Sequence, residues 1–80
     1  MTDKQALAKI ITQIHRIRTT TLTYTNRLRA VKEFIYIANF LNYSRKLIFS
    51  ALQHVAKTTG ELVWLLILKN IKRKRMHFET

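Results

Sequence analysis

Apolar residues recur at intervals of three and four along the first part of the chain. This spacing places them on one face of an α-helix, and it continues to about Arg18. Thr2 and Gln5 stand three positions apart ahead of the stripe, an arrangement typical of a capping box that begins a helix. The first helix is therefore predicted from the N-terminus to about Arg18, with its apolar face formed by Leu7, Ile10, Ile11, Ile14 and Ile17.

A threonine-rich segment follows at residues 19–25, with five threonines in seven positions. Threonine weakens a helix because its β-branched side chain loses rotamer freedom and its hydroxyl competes for backbone groups. The helical spacing of apolar positions does not slip across the segment, however. A single helix over residues 3–42, about 60 Å long at 1.5 Å per residue, would give the same register. We favour a break near Thr19–Thr21.

Two further helices are predicted in the middle of the chain. The second begins at Leu22 or Thr25 and ends at about Asn42, with an apolar face broad enough to contact two neighbours. Ser44 is a plausible N-cap for the third. The inward positions are Leu28, Val31, Phe34, Ile35, Ala38 and Leu41 in the second helix and Leu47, Ile48, Ala51, Leu52 and Val55 in the third.

The last predicted helix contains the longest apolar run, seven residues from Leu62 to Leu68. Apolar side chains on every side of a helix predict burial on every side. Thr58 and Glu61 have the spacing of a second capping box, and Gly60 suits the turn before the helix. The expected fold is an all-α bundle of three to four helices in one domain, residues 1–80. Its last helix is central, its end at residues 69–78 is basic, and dimer formation remains open.

Composition adds a strong positive charge to this picture. The 80 residues contain 15 Lys and Arg against four Asp and Glu, a formal net charge of +11, and no cysteine. Such a charge attracts polyanions, of which nucleic acid is the commonest, before anionic membrane surfaces and acidic proteins. A chain this small without disulfides also buries a modest core, so self-association or a protein partner is expected.

The residues needed for catalysis are not grouped. The four acids do not form a pair suited to general acid–base chemistry, and His15, His54 and His77 lie in separate segments. No two histidines have the spacing that places metal ligands on one helix face. Gly60 is the only glycine, so a glycine-rich phosphate loop is absent from the sequence. We therefore expect a protein that is not an enzyme and has no cofactor or metal.

Two basic clusters are the candidate nucleic-acid-binding residues. In the first, five of seven residues from Lys69 to Arg75 are cationic, enough to contact several phosphates together. A solvated helix end, a solubilising tail or a localisation signal would have the same composition. The second cluster is interleaved with tyrosines, a pattern equally typical of base stacking and of a protein interface. The predicted binding residues are Lys69, Lys72, Arg73, Lys74 and Arg75, and Arg27, Arg29 and Lys32.

A partial helix-turn-helix pattern places Ala56 four residues before Gly60. The following helix lacks the Arg, Asn or Gln that would read base edges, which argues against base-specific binding by that helix. The leading hypothesis is binding to DNA or RNA through backbone phosphates with low sequence specificity.

The alternative is a small structural or adaptor subunit that docks into a larger protein or membrane-associated complex. This alternative is favoured because the chain has more apolar surface than so short a sequence can bury. The predicted interface residues are large and apolar or aromatic. They are Trp64, Leu65, Leu68, Tyr36, Phe40 and Tyr43. The sequence has no recognisable signal peptide or membrane span, so a cytoplasmic location is expected. Trp64 beside the basic end leaves contact with an anionic membrane surface open.

Overall fold

Four α-helices form the chain in the computed structural model, which describes residues 2–40 and 44–73 except the side chains of Asn39 and Phe40. They are α1 (Asp3–Thr20), α2 (Tyr24–Phe40), α3 (Arg45–Thr59) and α4 (Val63–Arg73). The α1 helix packs on α3, and α4 packs on α3 and α2, while α2 also contacts α1. The predicted small all-α bundle is confirmed.

Local hydrogen bonds at both ends of α1 explain its bounds. The Thr2 hydroxyl accepts from the Gln5 N–H, and the Gln5 side chain accepts from the Thr2 N–H, so the predicted capping box is present. At the other end the Thr21 hydroxyl donates to the Ile17 carbonyl at 2.6 Å, and Thr21 has extended backbone angles. The threonine segment therefore ends the helix as predicted, and the alternative of one helix over residues 3–42 is wrong.

The caps of α2 and α3 are also side-chain hydroxyls. The Thr23 hydroxyl accepts from the Asn26 N–H at 3.2 Å, which holds the first turn of α2. The predicted cap Ser44 accepts from the Lys46 N–H at 3.1 Å at the start of α3. The predicted cap Ser44 is therefore confirmed, whereas the start of α2 was predicted only to within three residues and its cap Thr23 was not predicted.

The turn between α3 and α4 differs from the prediction. Thr58 lies inside α3 and its hydroxyl donates to the His54 carbonyl, so Thr58 and Glu61 do not form a capping box. Gly60 lies in this turn as predicted, and it ends α3 with a positive φ of 73°, a left-handed conformation that glycine adopts without steric cost. Glu61 is thereby free to turn its carboxylate towards α1 and α2.

The core is apolar and receives side chains from all four helices; no charged or polar residue is buried among the described residues. Trp64 is the largest fully buried side chain. The buried residues are Ala6, Ile10 and Ile14 from α1, Val31, Ile35 and Ala38 from α2, Ile48, Ala51, Leu52, Val55 and Ala56 from α3, and Trp64, Ile67, Leu68 and Ile71 from α4.

The expectation that residues 62–68 are buried on every side is wrong. Leu62, Leu65 and Leu66 are 69%, 42% and 56% exposed. The reason is the small number of helices: α4 packs on α2 and α3, and no described element covers its opposite side. The apolar run is therefore divided between a buried face and an exposed face.

Candidate nucleic-acid interface

The exposed side of α4 changes from apolar to cationic along the helix. Positions separated by three, four, seven or eleven residues lie on one side of an α-helix, which is why the leucines and the cations share a face. We call this surface the α4 exposed face; its residues are Leu62, Leu65, Leu66, Lys69, Lys72 and Arg73. Opposite it, Trp64, Ile67, Leu68 and Ile71 enter the core.

An open depression of about 300 Å³ lies between the start of α2 and the end of α4. It is lined by Tyr24, Leu66, Lys69, Asn70 and Arg73, and we call it the α2–α4 groove. The two cations are one helical turn apart, so both can face one bound chain. Among the described residues, no carboxylate lines the groove. Its chemistry is thus an aromatic ring and a leucine beside two positive charges and an amide.

The two helices are linked across the groove by polar side chains. The Asn70 Nδ2 atom lies 3.5 Å from the Tyr24 hydroxyl oxygen, to which it donates, although the residues are 46 positions apart. The Asn70 Oδ1 atom is enclosed and has no hydrogen-bond partner among the described residues. The amide therefore directs its NH2 group, and not its oxygen, towards Tyr24.

Before the start of α4, the Glu61 carboxylate connects the turn to α1 and α2. Arg18 donates to it through Nε at 2.8 Å and Nη2 at 3.3 Å, and the Trp64 indole donates through Nε1 at 3.0 Å. The Arg27 guanidinium lies 3.7 Å away. We call these four residues the Glu61 cluster. It fixes the start of α4 and therefore the direction of the α4 exposed face.

Arg18 and Glu61 stabilise each other in their charged forms. The hydrogen bond from Arg18 holds the pKa of Glu61 below its usual value, and the bond from the Trp64 indole adds to the effect. The same hydrogen bond raises the pKa of Arg18. Glu61 is therefore ionised at neutral pH and offsets part of the charge of two arginines.

The position of Arg27 differs from that expected for a residue of the predicted second basic cluster. Its side chain is only 12% exposed, and its guanidinium lies 5.1 Å from the centre of the Trp64 ring system. It also donates to the Thr21 and Arg18 carbonyls at 3.2 Å. A guanidinium engaged by the protein in this way is not presented to a phosphate, so Arg27 has a structural role.

The rest of that cluster does not join the groove. Arg29 and Tyr36 are exposed and Lys32 is half-buried on α2, but none of the three lines the α2–α4 groove. Tyr24, at the first position of α2, provides the aromatic ring there instead. The structure therefore does not bring Arg29 and Lys32 together with Lys69 and Arg73 in the groove.

The basic cluster at the end of the chain is described in part. Lys69 and Arg73 line the groove, and the Lys72 ammonium lies 5.4 Å from the centre of the Phe49 ring, over α3. Lys74 and Arg75 lie outside the described residues. Of the predicted cluster, two cations are thus placed together in one depression, and a third lies over α3.

The predicted interface residues separate into three groups. Trp64 and Leu68 are covered by the chain's own helices, because they lie on the buried face of α4. They are core residues and offer no surface to a partner. Leu65 and Tyr36 are exposed. The Phe40 side chain and Tyr43 lie outside the described part of the chain.

Sequence reasoning missed Tyr24, Leu66 and Asn70 as groove residues and missed the role of Glu61. Tyr24 was part of the threonine segment, where its ring could not be assigned to a surface. Asn70 stands inside the basic run and was not distinguished from a solvated polar residue. A period-3.6 projection of residues 62–73 would have placed Leu66, Lys69 and Arg73 on one side.

Comparison of the chain with protein-family models, with curated proteins and with solved structures finds no match. In the part of the chain that the structure describes, no helix is both long enough and apolar enough to cross a membrane. No cluster of three or more potential metal ligands occurs among the same residues. The chemistry of the α2–α4 groove and of the α4 exposed face is therefore the basis for a functional proposal.

Proposed function

We propose that this chain is a non-catalytic nucleic-acid-binding protein that contacts backbone phosphates with low sequence specificity. The observation that supports the proposal best is the joint position of Lys69 and Arg73 in one groove whose described lining contains no carboxylate. Lys72 is exposed on the same helix, and Lys74 and Arg75 follow directly in the sequence. A cationic surface of this kind attracts phosphates and displaces their counterions.

Charge distribution favours a polyanion over a small anion. The net charge of +11 acts at long range, whereas the groove supplies two point charges about one helical turn apart. A rise of about 6 Å between residues four apart lets Lys69 and Arg73 contact neighbouring phosphates of one strand. Glu61, the acid nearest to α4 in sequence, is already engaged by Arg18.

The side chains on α4 favour low sequence specificity. Base-edge recognition commonly uses Arg, Asn or Gln at the start of a helix placed in the major groove. The exposed positions at the start of α4 are leucines, Leu62, Leu65 and Leu66. Asn70 is the one groove residue with an amide, and its NH2 group is directed at Tyr24.

A salt series with a groove variant tests the proposal. Fluorescence anisotropy with labelled DNA and RNA is expected to show affinity that falls steeply between about 50 and 200 mM salt. Lys69→Gln/Arg73→Gln should weaken binding by roughly one to two orders of magnitude at low salt, because two phosphate contacts are lost. The slope of log K against log salt should become shallower by about 1.4 to 1.8.

The matched control is Lys4→Gln/Lys9→Gln, which removes the same charge from exposed positions of α1 outside the groove. This variant should retain most of the affinity. Equal losses in the two variants would mean that net charge alone attracts the nucleic acid, and the groove would not be the site. Binding that is insensitive to salt, or no binding at low salt, would refute the proposal.

A second candidate function is that of an adaptor, and the exposed leucines Leu62, Leu65 and Leu66 favour it. Three large apolar side chains at neighbouring positions are an unusual exposure on so small a bundle, and Lys69 and Lys72 follow on the same face. The partner that fits is an amphipathic helix with leucines and carboxylates, since it complements both halves. A second copy of the chain fits less well as the partner, because two chains of charge +11 repel each other.

Calorimetric titration with a synthetic amphipathic peptide of leucine and glutamate checks this candidate. Leu62→Gln/Leu65→Gln is expected to weaken binding of the peptide about tenfold, because two apolar contacts are lost outside the groove. A peptide with lysine in place of glutamate is the control and should not bind. The adaptor candidate fails if the acidic peptide does not bind, or if the variant binds it as well as the parent chain.

A further inference from the structure

We propose that the α2–α4 groove accepts one unstacked base of single-stranded nucleic acid, stacked on the ring of Tyr24, with the adjoining phosphates on Lys69 and Arg73. This inference rests on the proposed function and adds that the preferred ligand is a single strand and not a duplex. It follows from the residues that the fold brings together from α2 and α4, which are far apart in the sequence.

The groove combines the two kinds of surface that a nucleotide requires. The Tyr24 side chain is 39% exposed, and Leu66, 56% exposed, provides an apolar wall beside it. Lys69 and Arg73 line the same space. A flat aromatic base can cover the ring and the leucine while its phosphate contacts the cations, whereas a phosphate alone would leave the apolar wall uncovered.

The position of the ring favours a single strand over a duplex. In a duplex the faces of the bases are covered by their neighbours, and only phosphates, sugars and base edges are accessible. A single strand can turn a base out of its stack and place it on an aromatic side chain. With a volume of about 300 Å³, the depression is at the small end of ligand pockets and suits one base and not a helix.

Tyr24 reaches the groove because of its position at the start of α2. It is the first residue of α2, whose first turn is capped by the Thr23 hydroxyl. Its own hydroxyl accepts from the Asn70 Nδ2 atom at 3.5 Å, across the groove. The fold thus places the ring in the groove, while the long contact with Asn70 contributes little, so removal of the hydroxyl should not disturb stacking.

The test compares tyrosine variants on two forms of nucleic acid. Anisotropy is measured at one low salt concentration with labelled oligothymidylate and with a labelled duplex of equal length. Tyr24→Leu keeps an apolar side chain and removes the stacking surface, so it should weaken binding of the single strand roughly tenfold. Duplex binding should change less than twofold. Tyr24→Phe keeps the ring and should retain the affinity for the single strand.

Tyr36→Leu is the matched control, because Tyr36 is an exposed tyrosine of α2 that does not line the groove. It should bind oligothymidylate as the parent chain does. If Tyr24→Leu behaves like Tyr36→Leu, or if Tyr24→Phe loses as much affinity as Tyr24→Leu, stacking on Tyr24 is refuted. The salt series on the parent chain separates the two proposals: steep salt-dependent binding would leave the proposed function standing without stacking on Tyr24, and absence of such binding would refute both.

Discussion

Replacement of Trp64 by alanine is expected to remove a large part of the free energy of unfolding. Trp64 is completely buried and is the largest side chain of the core. Truncation of a buried tryptophan or phenylalanine to alanine costs about 3–5 kcal/mol, from lost burial and from the cavity that remains. A domain of this size has a total unfolding free energy on the order of 4–12 kcal/mol, so this single change removes much of it.

Urea unfolding followed by far-ultraviolet circular dichroism measures the effect. Trp64→Phe is the informative comparison, because it retains a buried ring and removes the Nε1 donor to Glu61. It should lower the free energy of unfolding clearly less than Trp64→Ala does. Leu62→Ala, at a position 69% exposed in the turn before the same helix, should change stability by about 0.5 kcal/mol or less. Equal midpoints for Trp64→Ala and the parent chain would contradict the burial of Trp64 in the core.

Helix ends were the part of the fold best predicted from the sequence. Thr2 with Gln5, the threonines before α2, and Ser44 each act through hydrogen bonds to residues within four positions. Such contacts are encoded locally, so residue type and spacing are sufficient. The number and class of the helices followed from these ends and from the apolar spacing between them.

The two faces of α4 were not predicted. Residues 62–68 are all apolar, so this run by itself carries no polar position to show which side meets solvent, and the helical projection was not extended to Lys69, Lys72 and Arg73. Trp64 is buried and Leu65 is exposed because α2 and α3 cover one side only. That fact depends on how many helices are available to pack, which is a property of the whole bundle.

The groove and the Glu61 cluster depend on contacts between distant segments. Arg18 meets Glu61 across 43 positions, and Asn70 meets Tyr24 across 46. Arg27 looked like any other surface arginine until its packing on Trp64 was known. Sequence spacing found the cations Lys69 and Arg73, but the aromatic ring beside them required the packing of α2 on α4.

Glu61→Gln is expected to destabilise the chain more than replacement of any other described carboxylate. Glutamine keeps the shape and loses the charge, which leaves the Arg27 guanidinium, with its side chain only 12% exposed, without a nearby anion. Arg18 loses its ionic partner at the same time. Since the Glu61 cluster fixes the start of α4, the variant should also lose affinity for nucleic acid at temperatures where α4 frays.

The pH dependence of stability distinguishes this role from simple packing. Because the pKa of Glu61 is lowered in the folded state, its contribution is complete above the pKa of an unfolded glutamate, about 4.3. It is lost as the pH falls through the lower folded value. Thermal unfolding of the parent chain should therefore shift to lower temperature on acidification, and Glu61→Gln should lack this part of the shift.

Glu33→Gln provides the matched control, since Glu33 is exposed on α2 and is absent from the ion pairs found among the described residues. Its midpoint and pH profile should follow those of the parent chain. If Glu33→Gln and Glu61→Gln flatten the profile equally, the acid sensitivity reflects the general repulsion of a chain with net charge +11. If the parent chain and Glu33→Gln lose stability on acidification more steeply than Glu61→Gln does, the stability of the bundle and the orientation of α4 depend on the Glu61 carboxylate.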